Sequence, residues 1–228
     1  MRNSSKIFKP MIVSFSGLDG SGKSTQIDKL HDQLNQNGIS VTILWARGGY
    51  TPFFHFLKKM FRITLKSQTL KKESALKKSQ TKVMSNRYIA KLWLNIAIAD
   101  LILYWAIYLR ISRMMGKFVI CDRFLDDTRL DFRRKFPSIP FEKMFLWRLL
   151  ELASPLPNVS ILLWVPVDES RKRSLIKCEP FPDNVETLSW RLSSYLDEKI
   201  FPSEKYIILD GRKDVNILAK RIAKSITI

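Results

Sequence analysis

The stretch "SFSGLDGSGKSTQ", residues 14–26, constrains this chain more than any other. It follows a short apolar run, "MIVSF" (11–15), and leads into residues 24–36, where Ile27, Leu30 and Leu34 recur at helical spacing. Gly17, Gly22, Lys23 and Ser24 satisfy GxxxxGK[ST], and strand, glycine-dense loop and helix come in the order that its chemistry requires. Backbone N–H groups can curl around phosphates there, helped by the positive end of the new helix. Three of the chain's eight glycines, Gly17, Gly20 and Gly22, lie in this loop. Gly17, Asp19, Gly20, Ser21, Gly22, Lys23, Ser24 and Thr25 are therefore the expected cradle for ATP. Lys23 would bridge the β- and γ-phosphates and the Ser24 hydroxyl would bind Mg²⁺.

The rest of the chain continues the alternation. "SVTILWA" (40–46), "KFVICD" (117–122), "VSILLWV" (159–165) and "KYIILD" (205–210) read as further strands. Helical patterns cover 53–65, 85–115, 168–176, 186–200 and 213–225, so the pattern predicts a doubly wound parallel sheet. With 228 residues and 46% hydrophobic content, one compact α/β domain over 1–228 is expected. Residues 66–82 carry six lysines against one glutamate and read as a basic insertion. "LWLNIAIADLILYWAIYL" (92–109) is long and apolar enough to resemble a membrane span, yet Asn95 and Asp100 would be costly in lipid. A core helix or a dimer interface is the expectation, with membrane contact as the alternative.

The net charge of +18 implies anionic partners without choosing among nucleotides, nucleic acid and anionic membranes. Cys121 and Cys178 cannot form a disulfide framework, and no CxxC or HxxxH pair suggests a metal site. A reducing cytoplasm is expected, and "MRNSSKIFKP" reads as a loose lead-in. His31 and His55 are isolated, and neither is assigned to catalysis.

A second site lies in "FVICDRF" (118–124), where a buried strand delivers Asp122 and Arg123 to the sheet edge at which such folds bind ligands. Asp122 can hold a metal through water, and Arg123 can grip a second phosphate; a surface ion pair is the plainer alternative. Cys121 reads as a small core residue.

With both sites read, the chain resembles the thymidylate kinase family from residue 11 to its end. "GLDGSGKST" is similar to that family's GxDGxGKST loop, with Asp19 in the acidic position, and "CDRFLDD" to its DR(Y/F) signature. The resemblance implies a P-loop NTPase fold of the nucleoside monophosphate kinase type, with a five-stranded parallel sheet flanked by helices on both faces. It also implies ATP and Mg²⁺ as cofactors, a homodimer, and a basic lid at 170–184 that offers Arg171, Arg173 and Lys177. Lys23, Arg123, Asp19 and Arg173 are the implied catalytic set, Ser24 and Asp122 the metal set. Arg47, before "GGYTP", stands for the arginine of the acceptor loop. "IILDGRKDVNILAKRI" is similar to the last strand and helix, whose connecting loop lies beside the adenine.

The acceptor side departs from the family. Counting back from Asp122 places Asp100 at the aspartate of the family's F-A-A-D-R helix, which leaves Ala97 and Leu101 where the thymine-stacking phenylalanine and the base-reading arginine would stand. Asp127 and Thr128 replace the usual serine and small or amide residue. Arg47, Asp100, Arg123 and Asp127 are the candidate acceptor-binding residues, while Asp126, Asp127 and Asp131 could equally cap a loop and helix.

The expected function is ATP- and Mg²⁺-dependent phosphoryl transfer to a small acceptor, nominally a nucleoside monophosphate such as thymidine monophosphate, with a changed acceptor left open. The competing reading is a nucleotide-dependent switch that holds nucleic acid or an anionic membrane. A membrane-associated kinase for a lipid- or glycan-pathway substrate is a hybrid of the two. No nucleic-acid module is evident in the sequence.

Overall fold

The computed structural model describes residues 11–45, 87–177 and 183–226. Arg47, His55, the expected helix at 53–65, the basic stretch at 66–82, Cys178 and residues 178–182 of the expected lid lie outside the described residues.

Described residues fall into two compact units, one built from 11–45, 110–130, 156–177 and 183–226, the other from 87–109 and 131–155. The first holds the sheet. Its strands β1 (Ile12–Gly17), β2 (Val41–Trp45), β3 (Phe118–Asp122), β4 (Val159–Trp164) and β5 (Tyr206–Asp210) are all parallel, in the order β2-β3-β1-β4-β5. Near-continuous runs of Ile, Val, Leu and Phe suit strands buried on both faces. Helix α1 (Lys23–Gln36) packs beside the last helix, α8 (Val215–Ile226), over Val13, Phe15, Ile120, Ile161 and Leu163. On the other face, Leu162 packs with Leu18, Leu130, Leu188, Tyr195, Phe201 and Tyr206. Helices α6 (Val167–Ile176) and α7 (Val185–Tyr195) follow β4.

In this strand order β1 lies between β3 and β4, with Phe15 level with Asp122. The chain leaves β1 for β2 on one side and later leaves β3 to reach β4 on the other. That reversal opens a crevice at the carboxyl edge, where the loops after β1 and β3 meet.

The second unit centres on a long helix, α2 (Arg87–Leu101), which continues as a π-helical stretch, Ile102–Tyr108, and then as α3 (Leu109–Met114). Its buried side carries Leu94, Ala97, Ile98, Leu101 and Trp105, and α5 (Phe145–Ala153) packs on α2 and on the π-helical stretch. Phe141, Phe132 and Trp147 meet edge to face, with centroids 4.9 to 5.9 Å apart. Helix α4 (Leu125–Lys135) was anticipated only through the capping alternative for Asp126, Asp127 and Asp131, while α5 and the short 3-10 turn Phe141–Lys143 between them were not anticipated. Asp127 and Thr128 are buried in α4 beside Leu125, Leu130 and Phe132, so its inward side is not an apolar stripe.

Candidate active site

The loop after β1 has the backbone expected of a phosphate cradle. Gly17, Gly20 and Gly22 all have positive φ, and Gly22 caps the start of α1. Lys23, the first residue of α1, is buried and folds back onto its own loop. Its Nζ donates to the carbonyls of Gly17 at 2.9 Å and Leu18 at 2.6 Å, with Ser21 Oγ at 3.5 Å. Burial, reinforced by the nearby Arg123 guanidinium, pushes the Lys23 ammonium down to about 8, against the opposing pull of Asp19, Asp122 and Asp127. Ser24 and Thr25 are exposed on the first turn of α1, and Ser21 is buried.

From β3, Asp122 and Arg123 reach the same edge. Asp122 Oδ1 is buried and has no hydrogen-bond partner among the described residues, and burial raises its carboxyl above the ordinary range. Arg123 is buried with φ of 72°, a strained backbone for a side-chain-bearing residue. Its backbone N–H donates to Phe15 O at 2.9 Å, which ties the turn to β1. Its guanidinium pairs with Asp19 through Nη2, donates to Tyr195 Oη at 3.4 Å and lies 3.7 Å from Asp127 Oδ1.

Asp127 is almost fully buried and engaged on both oxygens. Oδ2 accepts from Ser16 Oγ at 2.7 Å and from the Phe124 backbone N–H at 3.1 Å, while Oδ1 accepts from Tyr195 Oη at 2.6 Å. As the third residue of α4 it bonds the N–H just before the helix, where its negative charge also suits the helix dipole. Asp126 accepts from Tyr206 Oη at 2.6 Å and pairs with Arg129 at 2.8 Å.

Helix α6, the start of the expected lid, is fastened to the loop. Ser170 Oγ donates to Asp19 O at 2.7 Å. Arg173 pairs with Glu169 at 2.6 Å and donates to Gly211 O at 2.9 Å and Gly20 O at 3.4 Å. Arg171 and Lys177 are exposed, and Arg171 lines a cavity of about 290 Å³ with Asp19, Ser174, Asn184 and Leu188.

The structure thus brings Lys23, Asp19, Arg123, Asp127 and Arg173 into one connected set of contacts. Asp100 is buried in the second unit, on the same helix as the fully buried Ala97 and Leu101. Sequence reading missed Tyr195, Ser16 and Ser170. Ser16 directly precedes the motif at Gly17 without belonging to it, whereas Tyr195 and Ser170 belong to no spaced motif and only the fold brings them to the loop.

The five-stranded parallel sheet with its glycine loop is the fold of a P-loop kinase built like the nucleoside monophosphate kinases. No family model matches the chain. Curated relatives do: it is 27% identical over 224 residues to the thymidylate kinase of Sulfurihydrogenibium sp. (strain YO3AOP1), covering 94% of this chain and 95% of that protein. It is 23% identical over 233 residues to the thymidylate kinase of Bdellovibrio bacteriovorus, covering 96% of each, and 22% identical over 227 residues to that of Caldanaerobacter subterraneus. The chain is thymidylate kinase-like.

The depressed Lys23 has a testable consequence. Its folded value lies below the ordinary 10.5, so the free protein gains stability as pH rises from about 8 toward 10.5 and bears the cost of a buried charge below that window. A bound phosphate favours the ammonium form. Nucleotide binding at pH 8.5 should therefore take up a sizeable fraction of a proton, and far less at pH 6.5, read by calorimetry in buffers of different ionisation heat. Equal uptake at the two pH values would contradict this electrostatic picture.

Proposed function

We propose that this chain is an ATP- and Mg²⁺-dependent kinase whose acceptor is a nucleoside monophosphate, with thymidine monophosphate the first to test. The observation that carries the reading is the meeting of Lys23 and Arg123, from the loops after β1 and β3, at one crevice. Glycine-loop N–H groups and the start of α1 bind the donor phosphates. Lys23 leaves the Gly17 and Leu18 carbonyls for phosphate oxygens, and Arg123 stabilises charge that develops on the transferred group.

Mg²⁺ fits these residues. Asp122 offers a buried, unsatisfied oxygen and Ser24 an exposed hydroxyl, matching the habit of Mg²⁺ to take one or two carboxylates plus substrate phosphates. When bound it supplies charge neutralisation on the phosphates. Arg173, held at Gly20 O and Gly211 O, orders the cradle from outside, and Arg171 and Lys177 are exposed cations of the lid segment.

On the acceptor side the reading relies on Arg47, Asp100, Arg123 and Asp127. Asp127 acts within it as a support for Arg123, since four protein groups already surround its carboxylate. The fully buried Ala97 and Leu101 favour an acceptor pocket that differs from the thymine-reading one.

The proposal includes a cytoplasmic homodimer. Tyr88, Leu92, Leu103, Ile107, Phe145 and Leu152 are large apolar side chains left exposed on the second unit, more than an isolated surface comfortably carries. The helix Arg87–Met114 is long and apolar enough to cross a membrane, and 44% of its most apolar window is buried; Asn95 and Asp100 within it would be costly in lipid, which favours packing over insertion. Light scattering at micromolar concentration should give twice 26.7 kDa, and Leu103→Glu with Ile107→Glu should halve it. A wild-type monomer would remove the dimer. ADP release that needs both Mg²⁺ and a nucleoside monophosphate tests the activity itself.

A further inference from the structure

The geometry points to Tyr195 as a positioning residue for Arg123, tying the phosphate-facing guanidinium to the end of helix α7. This rests on the kinase reading for its effect on rate, though not for its structural content. Tyr195 is the last residue of α7, almost fully buried, with its ring against Phe201 at 4.9 Å. Its hydroxyl sits where three parts of the site converge. It accepts from Arg123 Nη1 at 3.4 Å, donates to Asp127 Oδ1 at 2.6 Å, and lies 3.4 Å from Gly17 O, the carbonyl that Lys23 also grips.

One hydroxyl proton cannot serve both acceptors, and the short contact to Asp127 takes it. The oxygen lone pair is then turned toward Arg123. Asp127 is in turn anchored by Ser16 of β1 and by the Phe124 N–H, so the chain of contacts runs from β1 through Asp127 and Tyr195 to Arg123. Asp19 holds the opposite end of the guanidinium. A guanidinium on a strained backbone needs such bracing, because freedom of a few tenths of an ångström in a charge-stabilising donor reduces its effect on the transition state.

The same cluster contains a built-in control. Tyr206 makes an equally short hydrogen bond, 2.6 Å to Asp126, and packs on the same Phe201, but no contact of its hydroxyl involves Arg123. Tyr195→Phe and Tyr206→Phe each delete one oxygen and one 2.6 Å bond to a carboxylate, part-buried at Tyr206, and Tyr195→Phe also removes the acceptor of Arg123 Nη1. Only Tyr195→Phe should disturb Arg123.

The test uses the full chain and two readouts. In ¹⁵N NMR of the protein without nucleotide, the Arg123 Nε–H signal, assigned with Arg123→Ala, should exchange faster with water in Tyr195→Phe and stay unchanged in Tyr206→Phe. In turnover with Mg²⁺, ATP and the accepted nucleoside monophosphate, Tyr195→Phe should lower kcat about tenfold with KM nearly unchanged, and should cost nothing further once Arg123 is alanine. Three results would overturn the proposal: an unaltered Arg123 signal, equal effects of both tyrosine variants, or the same loss with and without Arg123. Failure of Tyr195→Phe to fold would make the residue structural and sink it too. If the wild type turned over no acceptor, the kinase reading would fall, and the NMR signal would still decide the role of Tyr195.

Discussion

Lys23→Ala should lower phosphoryl transfer by roughly 10³-fold while the protein remains folded. In the proposed reading the ammonium turns to the donor phosphates, leaving its present partners, the Gly17 and Leu18 carbonyls of the same loop. Folding gains little from the residue. Burial holds its ammonium down at about 8, so at pH 7 the charged form is carried at a cost, and alanine relieves that cost while losing the two carbonyl contacts. These effects oppose each other and should leave stability within about 1 kcal/mol of the wild type, as read by urea denaturation. Transfer at the native rate would mean that the site is misassigned. Loss of the fold would mean that Lys23 is a structural residue.

Gly17→Ala should instead destroy the fold, at a cost of about 3–5 kcal/mol. A methyl group there would lie 2.1 Å from the carbonyl oxygen of Leu163, inside the β1–β4 pairing, at a φ of 139°. That neighbour is sheet backbone and cannot swing away, so two central strands would have to part. Gly22→Ala is the informative contrast. Its φ of 95° is also unfavourable, but a methyl group meets nothing within 4 Å, and the cost should stay near the 1–2 kcal/mol of left-handed backbone alone. Urea titration of the pair separates steric closure of the loop from its conformational strain. Equal stabilities for the two variants would contradict the packing described for Gly17.

The strands and the loop could be read from the sequence because both are local. Five apolar runs and one glycine-rich spacing need no partner to be recognised, and each matches the structure within a residue or two at most boundaries. Helix α7 is shorter than expected, since the chain turns after Tyr195. Strand order and most of 125–153 were beyond such reading for a physical reason. Buried Asp127 and Thr128 are satisfied by Ser16, Tyr195 and the Phe124 backbone, so a polar pattern conceals an inward-facing helix. The same long-range contacts explain the site. Lys23, Asp122 and Arg123 stand in motifs, whereas Tyr195 is separated from Asp127 by 68 positions and from Gly17 by 178. The contacts of Asp127 and Arg173 are likewise long-range and stand in no spaced motif. In the structure Asp127 braces Arg123, and Arg173 clasps the cradle to α6.

The central claim is that this crevice transfers phosphate to a nucleoside monophosphate. The most direct test is ADP formation from Mg²⁺ and ATP across thymidine monophosphate, the other nucleoside monophosphates, nucleosides and sugar phosphates, with Lys23→Ala as the blank. The account predicts turnover that depends on a nucleoside monophosphate and vanishes in the blank. ADP formed at one rate with every acceptor and with none, or stimulated only by nucleic acid or anionic vesicles, would contradict it.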